Sequence, residues 1–260
     1  MASIDLNSDV GEGFGLFRSD TDAAVLDHVT SANIACGMHA GDPQIIRSTI
    51  NLAKRRGVAI GAHPGFHDLQ GGGRREIRLS SDDLYSLVVY QVGAVQAFAK
   101  AADTRLSHVK IHGAMYNMAA RDPAMARVIC EAVSDVDRSL VFVGLAGSHL
   151  VRAARETGLV AAEEVFADRT YQDDGSLTPR GHPLAMIVDV EQSIAQVMRM
   201  VRSGVVRSIN GVDVQVQPDT LCIHGDQPHA AQFAQEIRRA LIADGVAVHQ
   251  LASTPISRTA

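Results

Sequence analysis

The sequence has no tryptophan and only 4% aromatic residues. That scarcity leaves few platforms for stacking sugar rings and argues against an extended carbohydrate groove. Nor is there a basic excess: 24 Lys and Arg stand against 29 Asp and Glu, for a formal charge of −5. The clusters Lys54-Arg55-Arg56 and Arg74-Arg75 are short, so nucleic acid is not an expected partner. No apolar run approaches the ~18 residues of a membrane span. Asp5 and Asp9 precede any apolar stretch, so no signal peptide is expected. Three cysteines, Cys36, Cys130 and Cys222, share no C-x-x-C spacing and sit in apolar segments. They read as buried packing in a reducing compartment rather than a disulfide framework. The expectation is a cytoplasmic protein with no membrane contact.

What is present is a regular alternation. With 260 residues and 46% hydrophobic content, the chain can bury a full core. Asp42-Pro43 and Asp122-Pro123 each set a capping carboxylate before a proline at the first helical position. Gly57, Gly158 and Gly245 each follow a helical stretch and lead into Val or Leu, the mark of a left-handed cap before a strand. Strands are expected at 3–9, 32–38, 58–63, 108–112, 140–145, 160–166 and 219–224, with a weaker eighth at 246–250. Asn210-Gly211 between alternating runs predicts a hairpin excursion near 204–217. No linker or low-complexity segment divides residues 1–260, which read as one domain. The class is α/β with a parallel sheet, open or closed.

The stretch "IDLNSDVGEGFG", residues 4–15, decides between two uses of the first strand. A dinucleotide turn needs Gly-x-Gly-x-x-Gly, and Leu16 stands where the third glycine belongs. Strand periodicity instead puts Asp5, Asn7 and Asp9 on one face, opposite Ile4 and Leu6. The same pattern recurs: Asn33, Ala35, Gly37 and His39; Gly61 and His63; Lys110 and His112; Cys222, His224 and Asp226. An open sheet covered by helices is apolar on both faces. A barrel accommodates the pattern, because inward residues at the C-terminal ends converge at one mouth.

Three groups of residues carry candidate chemistry. Asp9, His39 and His63 offer one carboxylate and two imidazoles for a divalent metal, or form a polar mouth without one. Lys110 and His112 share a face; an inward lysine needs a partner, with Asp5 and Asp226 as the acids considered. The segment "FADRTYQDDGSLTPR", 166–180, places Asp168 and Arg169 at a strand end before a long polar loop that ends in Arg180 and reads as a binding lid. "GGGRRE", 71–76, reads as a flexible loop, with a phosphate cradle as its second use. His28, His67, His108, His149, His182, His229 and His249 show no converging partners in the sequence.

The segments "DLNSDVGEGFG", "ANIACGMHAGDP", "IGAHPGF", "VKIHGAMYN", "FADRTYQDDGSLTPR" and "CIHGD", in this order, closely resemble the LamB/YcsF family from about residue 3 to 252. The resemblance implies a seven-stranded (β/α) barrel related to the polysaccharide deacetylase and glycoside hydrolase superfamily. It implies ATP-dependent opening of the 5-oxoproline lactam to L-glutamate, performed with two partner subunits, B and C; homo-oligomerisation is left open. On that reading Asp9, Lys110, His112 and Asp226 are the catalytic candidates. Asn7, Glu12, Asp168, Arg169, Arg180 and His224 are the substrate-binding candidates, and ATP is a co-substrate without a Walker A motif to hold it. The competing expectations are a metal-dependent carbohydrate or amide deacetylase and a substrate-binding subunit without catalysis of its own.

Overall fold

Seven parallel strands close into a barrel in the computed structural model, which describes residues 2–17, 21–223 and 230–251. Strands β1 (Ser3–Val10), β2 (Ser31–Ala35), β3 (Ala59–His63), β4 (His108–Lys110), β5 (Val141–Leu145) and β6 (Val160–Phe166) pair in chain order. The strands β7 (Val205–Arg207) and β8 (Asp213–Gln215) pair antiparallel outside the ring. β9 (Thr220–Cys222) then pairs with β6 on one side and β1 on the other, which closes it. A short β10 (Ala247–Val248) adds to the start of β1. β2 ends at Ala35, short of the expected 38, because the chain turns at Gly37 with φ of 91°.

The helices are α1 (Asp22–Val25), α2 (Pro43–Arg56), α3 (Ser81–Ala101), α4 (Gly113–Arg121), α5 (Pro123–Val136), α6 (His149–Glu156), α7 (Val190–Ser203) and α8 (Ala230–Ala243). Their boundaries follow from local chemistry. The Asp42 carboxylate accepts from the N–H groups of Gln44 and Ile45, and that of Asp122 from Ala124 and Met125. Each satisfies donors that the first helical turn leaves without partners. Gly57 ends α2 in the left-handed conformation, φ 66°. Helix faces such as Ile46, Ile50 and Ala53 of α2 pack on the outward strand residues Ile34 and Ile60 in one continuous apolar shell. Among the described residues, no helix is long and apolar enough to cross a membrane.

The barrel interior is polar along one side and apolar along the other. β5 and β6 contribute Val141, Val143 and Ala162, while β1 to β4 and β9 contribute Asp5, Asn7, Ser31, Asn33, His108 and Thr220, all buried. Buried polar groups persist only when paired, and here they pair with one another. Asp5 accepts from the hydroxyls of Thr30 at 2.7 Å, Ser31 at 2.6 Å and Thr220 at 2.5 Å. Burial pushes its carboxyl up, against those hydrogen bonds. His108, which the sequence left without a partner, donates from Nε2 to Asn33 Oδ1 at 2.8 Å. Its ring fills the space that Gly61 vacates, since a Cβ there would lie 2.1 Å from that nitrogen.

Candidate active site

Strand direction sets the next layer, toward the C-terminal ends. Lys110 is buried, and its ammonium lies 3.0 Å from Asp9 Oδ1, 2.9 Å from Glu164 Oε1, 3.2 Å from Asn7 Oδ1 and 3.0 Å from Cys222 Sγ. Burial alone would pull the lysine down; the charge of Asp9, followed by Cys222 and Glu164, outweighs it and holds the group well above its usual range. The partners are therefore Asp9 and Glu164. Asp5, considered from the sequence, is occupied one layer deeper by three hydroxyls.

Glu164 escaped sequence reasoning. It is fully buried, accepts from Tyr116 Oη at 2.7 Å and from Asn7 Nδ2 at 3.1 Å, and stands where β6 turns a carboxylate inward. Alternation along "AAEEVF" sets Ala162, Glu164 and Phe166 on one face, so the signal was available. Cys222 is buried as expected, yet its sulfur is also a partner of the lysine. Burial raises its thiol well above the ordinary range.

Above this layer sits a histidine cluster. His39 and His112 stack with ring centroids 3.8 Å apart, and His63 meets His112 edge-on at 4.8 Å. Donor atoms of Glu12, His39, His63 and His112 all lie within 4.8 Å of one another. The group that converges therefore differs from the expected Asp9, His39 and His63. Asp9 spends Oδ1 on Lys110 and on Asn33, and its Oδ2 stands 3.2 Å from His63 Nε2. Glu12, expected to bind substrate, and His112, expected to act in catalysis, join the two histidines instead.

The donor set fits a divalent cation. His63 Nδ1 bonds the Lys110 carbonyl at 2.7 Å and His112 Nε2 bonds the Gly72 carbonyl at 2.8 Å. Carbonyls only accept, so both outer nitrogens donate, and in the neutral rings the inner nitrogens carry lone pairs. Those nitrogens, His63 Nε2 and His112 Nδ1, face each other at 2.9 Å. Two lone pairs at that distance repel unless a proton or cation lies between them. His39 is buried, and neither of its ring nitrogens has a hydrogen-bond partner among the described residues. Burial, then neighbouring His63, holds His39 down to about 3, so it is a neutral ligand at ordinary pH. Backbone carbonyls orienting the far ring nitrogen are a usual outer support of metal-binding histidines.

Glycines let this cluster form. Gly73 adopts φ of 68°, and a Cβ on it would sit 2.7 Å from both His39 Cβ and His112 Cδ2. The 71–76 loop is therefore a wall of the site rather than a loose excursion. It is tied down by the ion pair of buried Asp68 with Arg75 and by Ala114 N donating to the Gly73 carbonyl at 2.9 Å.

The segment after β6 is equally built. Arg169 is buried and donates to the carbonyls of Thr178 at 2.6 Å and Ala185 at 3.3 Å. Isolated bridges join Arg169 to Met186 and Tyr171 to Leu177. The guanidinium that the sequence offered as a carboxylate clamp thus braces its own loop. Arg180 is exposed at the lip, and Asp168 is buried beside Arg169. The structure brings together Asn7, Asp9, Glu12, His39, His63, Lys110 and His112; His224 and Asp226 lie outside the described residues.

The inner cavity between these groups has a volume of about 40 Å³ and is bounded by Asp9, Glu12, His63, Lys110 and His112. At ~10–15 Å³ per water, it admits a few waters or an ion and not an amino-acid-sized substrate. A second cavity of about 740 Å³ opens beside it and shares Arg74, Gly113, Asn117, Arg169, Leu177 and Arg180 with the first. That volume lies within the ~300–1,000 Å³ typical of small-molecule sites.

Comparison with known proteins adds a family. The sequence profile of the LamB/YcsF family matches residues 4–255. A protein of Bordetella pertussis, named as one of the subunits of 5-oxoprolinase, is 59% identical over 246 residues, covering 95% of this chain and 98% of the relative. The crystal structure of a lactam utilization protein from Thermus thermophilus superposes with a TM-score of 0.89 at 45% identity, over 95% of this chain and 99% of that one. The catalytic domain of a peptidoglycan N-acetylglucosamine deacetylase from Eubacterium rectale shares the fold alone, with a TM-score of 0.52 at 14% identity over 99% of this chain and 92% of that one.

Proposed function

This chain belongs to the LamB/YcsF family, and on that premise we propose that it opens the lactam ring of 5-oxo-L-proline to give L-glutamate. The opening is coupled to hydrolysis of ATP to ADP and phosphate, in a cytoplasmic assembly with two further subunits, B and C. One observation carries the reading: the Asp9–Lys110 pair and the Glu12–His39–His63–His112 group line the same inner cavity, or its immediate wall, beside a cavity large enough for substrates. It is supported by the names of the relatives, which speak of 5-oxoprolinase and of lactam utilization.

A five-membered lactam is a stable amide, so its carbonyl has to be activated. Transfer of the terminal phosphate of ATP to the amide oxygen makes the ring carbon electrophilic, and water then adds to that carbon. Asp9, or Asp226, takes the proton from this water and returns it to the ring nitrogen as the carbon–nitrogen bond breaks. The acyl phosphate left behind reacts with a second water to release phosphate and L-glutamate. A divalent metal at Glu12, His39, His63 and His112 would polarise the carbonyl and acidify bound water. Lys110 acts through Asp9: its ammonium is committed to Asp9, Glu164, Asn7 and Cys222, so it fixes and aims the carboxylate rather than reaching the substrate oxygen. Arg180 is the exposed lip residue that meets the substrate carboxylate, with Arg169 bracing the loop that carries it.

The test is glutamate formation from 5-oxoproline and ATP by the reconstituted three-subunit complex. Asp9→Asn is expected to lower kcat at least ~100-fold, the scale of a lost general base; undiminished turnover overturns the assignment. A second reading, metal-dependent deacetylation, draws on the three converging imidazoles. Acetate release from an acetylated sugar with zinc and no ATP would favour it.

A further inference from the structure

The 740 Å³ cavity has a charge that the lactam alone does not explain. Among the described residues, Arg74, Arg121, Arg152, Arg169 and Arg180 line it, against two carboxylates, Glu76 and Asp174. Positive charge is in excess there, in a chain whose formal charge is −5. Arg121 pairs with Glu76, and Asp174 turns its carboxylate on the N–H and hydroxyl of Ser176. The other arginines crowd one another: Arg180, then Arg74, press on the buried Arg169, which burial and their charge lower to about 10. Like charges held together in a concave, partly desolvated wall cost stability, and an anion between them relieves that cost.

A second feature lies on the opposite side of the cavity. The turn Ala146–Ser148 delivers the start of α6, and Ser148, His149 and Arg152 line the cavity. The N-cap Ser148 makes no side-chain capping bond, and its hydroxyl is enclosed without a hydrogen-bond partner among the described residues. The first-turn N–H groups of a helix are an anion-binding arrangement when their cap is not engaged. A monocarboxylate such as 5-oxoproline is matched by one arginine, whereas this cavity presents several together with a helix start.

We infer that this cavity binds the phosphate chain of a nucleoside triphosphate, with Arg74, Arg152 and the start of α6 around the phosphates and the chain's end directed at the inner cavity. The inference rests on the proposed lactam opening only for the identity of the nucleotide; the polyphosphate site stands on the cavity itself. The shared wall of Arg74, Gly113 and Asn117 brings the terminal phosphate next to the Asp9 and His112 layer. This placement supplies a nucleotide site in a chain that has no Gly-x-x-x-x-Gly-Lys-[Ser/Thr] loop.

The experiment is titration of ATP, and separately of inorganic tripolyphosphate, into the full-length chain, with the KM for ATP measured in parallel in the three-subunit complex. Arg152 is exposed at the surface of α6, so Arg152→Glu is expected to fold normally. The expected result is that tripolyphosphate competes with ATP, that raised salt weakens both, and that Arg152→Glu weakens ATP at least tenfold while the KM for 5-oxoproline changes less than twofold. Binding of tripolyphosphate without ATP competition overturns the nucleotide assignment. An Arg152→Glu chain and complex with unchanged ATP affinity and KM overturn the site. If the complex yields no glutamate but ATP binding still depends on Arg152, the lactam reading fails and the phosphate site holds.

Discussion

Glu164 Oε1 and Lys110 Nζ lie 2.9 Å apart in the barrel centre, both with side chains shielded from solvent. One lysine there answers two carboxylates, Asp9 and Glu164, so removal of either acid changes the balance differently.

Lys110→Met leaves Glu164 and Asp9 without their shared cation. Loss of one member of a buried ion pair costs about 3–5 kcal/mol, so a marked drop in the urea midpoint is expected. The double variant Lys110→Met/Glu164→Leu should recover part of that loss without recovering activity. Equal midpoints for the single variant and the parent would show that the pair is not carrying the barrel centre.

The histidine cluster should take up one divalent cation per chain. Zinc titration of the metal-stripped protein, followed by calorimetry, is expected to give stoichiometric binding that His112→Ala weakens at least ~10-fold, as loss of an inner ligand exceeds the 10–100-fold effects of outer supports. A thermal shift that is the same with and without zinc would remove the metal from the site.

His108 predicts a direction of acid sensitivity. Burial, followed by the charge of Lys110, holds its imidazole down to about 3, below the 6.5 of the free side chain. The unfolded chain therefore binds more protons between those values, and the stability His108 contributes above pH 6.5 is lost as pH falls toward 3. Asp5, with its carboxyl raised, works in the opposite sense. The measurement is the difference in unfolding free energy between parent and His108→Gln across that range, where the variant should show the flatter slope.

Gly61 and His108 should behave as a coupled pair. Gly61→Ala drives a Cβ to 2.1 Å from His108 Nε2, and overpacking of this kind costs ~1–3 kcal/mol or more. Adding His108→Ala should relieve the clash, so the double-mutant cycle is expected to show a favourable coupling above ~0.5 kcal/mol. Additive effects would mean that the ring does not occupy the glycine's space.

The barrel and much of its mouth were legible in one dimension. Period-2 alternation in "IDLNSDV" and "VKIH" set Asp5, Asn7 and Asp9 on the inner face of β1, with Lys110 on that of β4. That reading succeeds because a strand's side chains alternate whatever surrounds them. Asp42-Pro43 and Asp122-Pro123 opened helices where expected, since capping is decided within four residues.

Partner choice was not legible in that way. That Lys110 meets Glu164 and not Asp5, that Glu12 and His112 replace Asp9 beside His39 and His63, and that Arg169 braces a loop instead of facing the mouth all depend on strand stagger around the closed ring. Sequence determined which residues point inward, because that is a property of the local backbone. Tertiary structure alone decided which of them touch, because ion pairs and ligand sets are settled by distances of a few ångströms between strands as much as 157 residues apart, as Asn7 and Glu164 are.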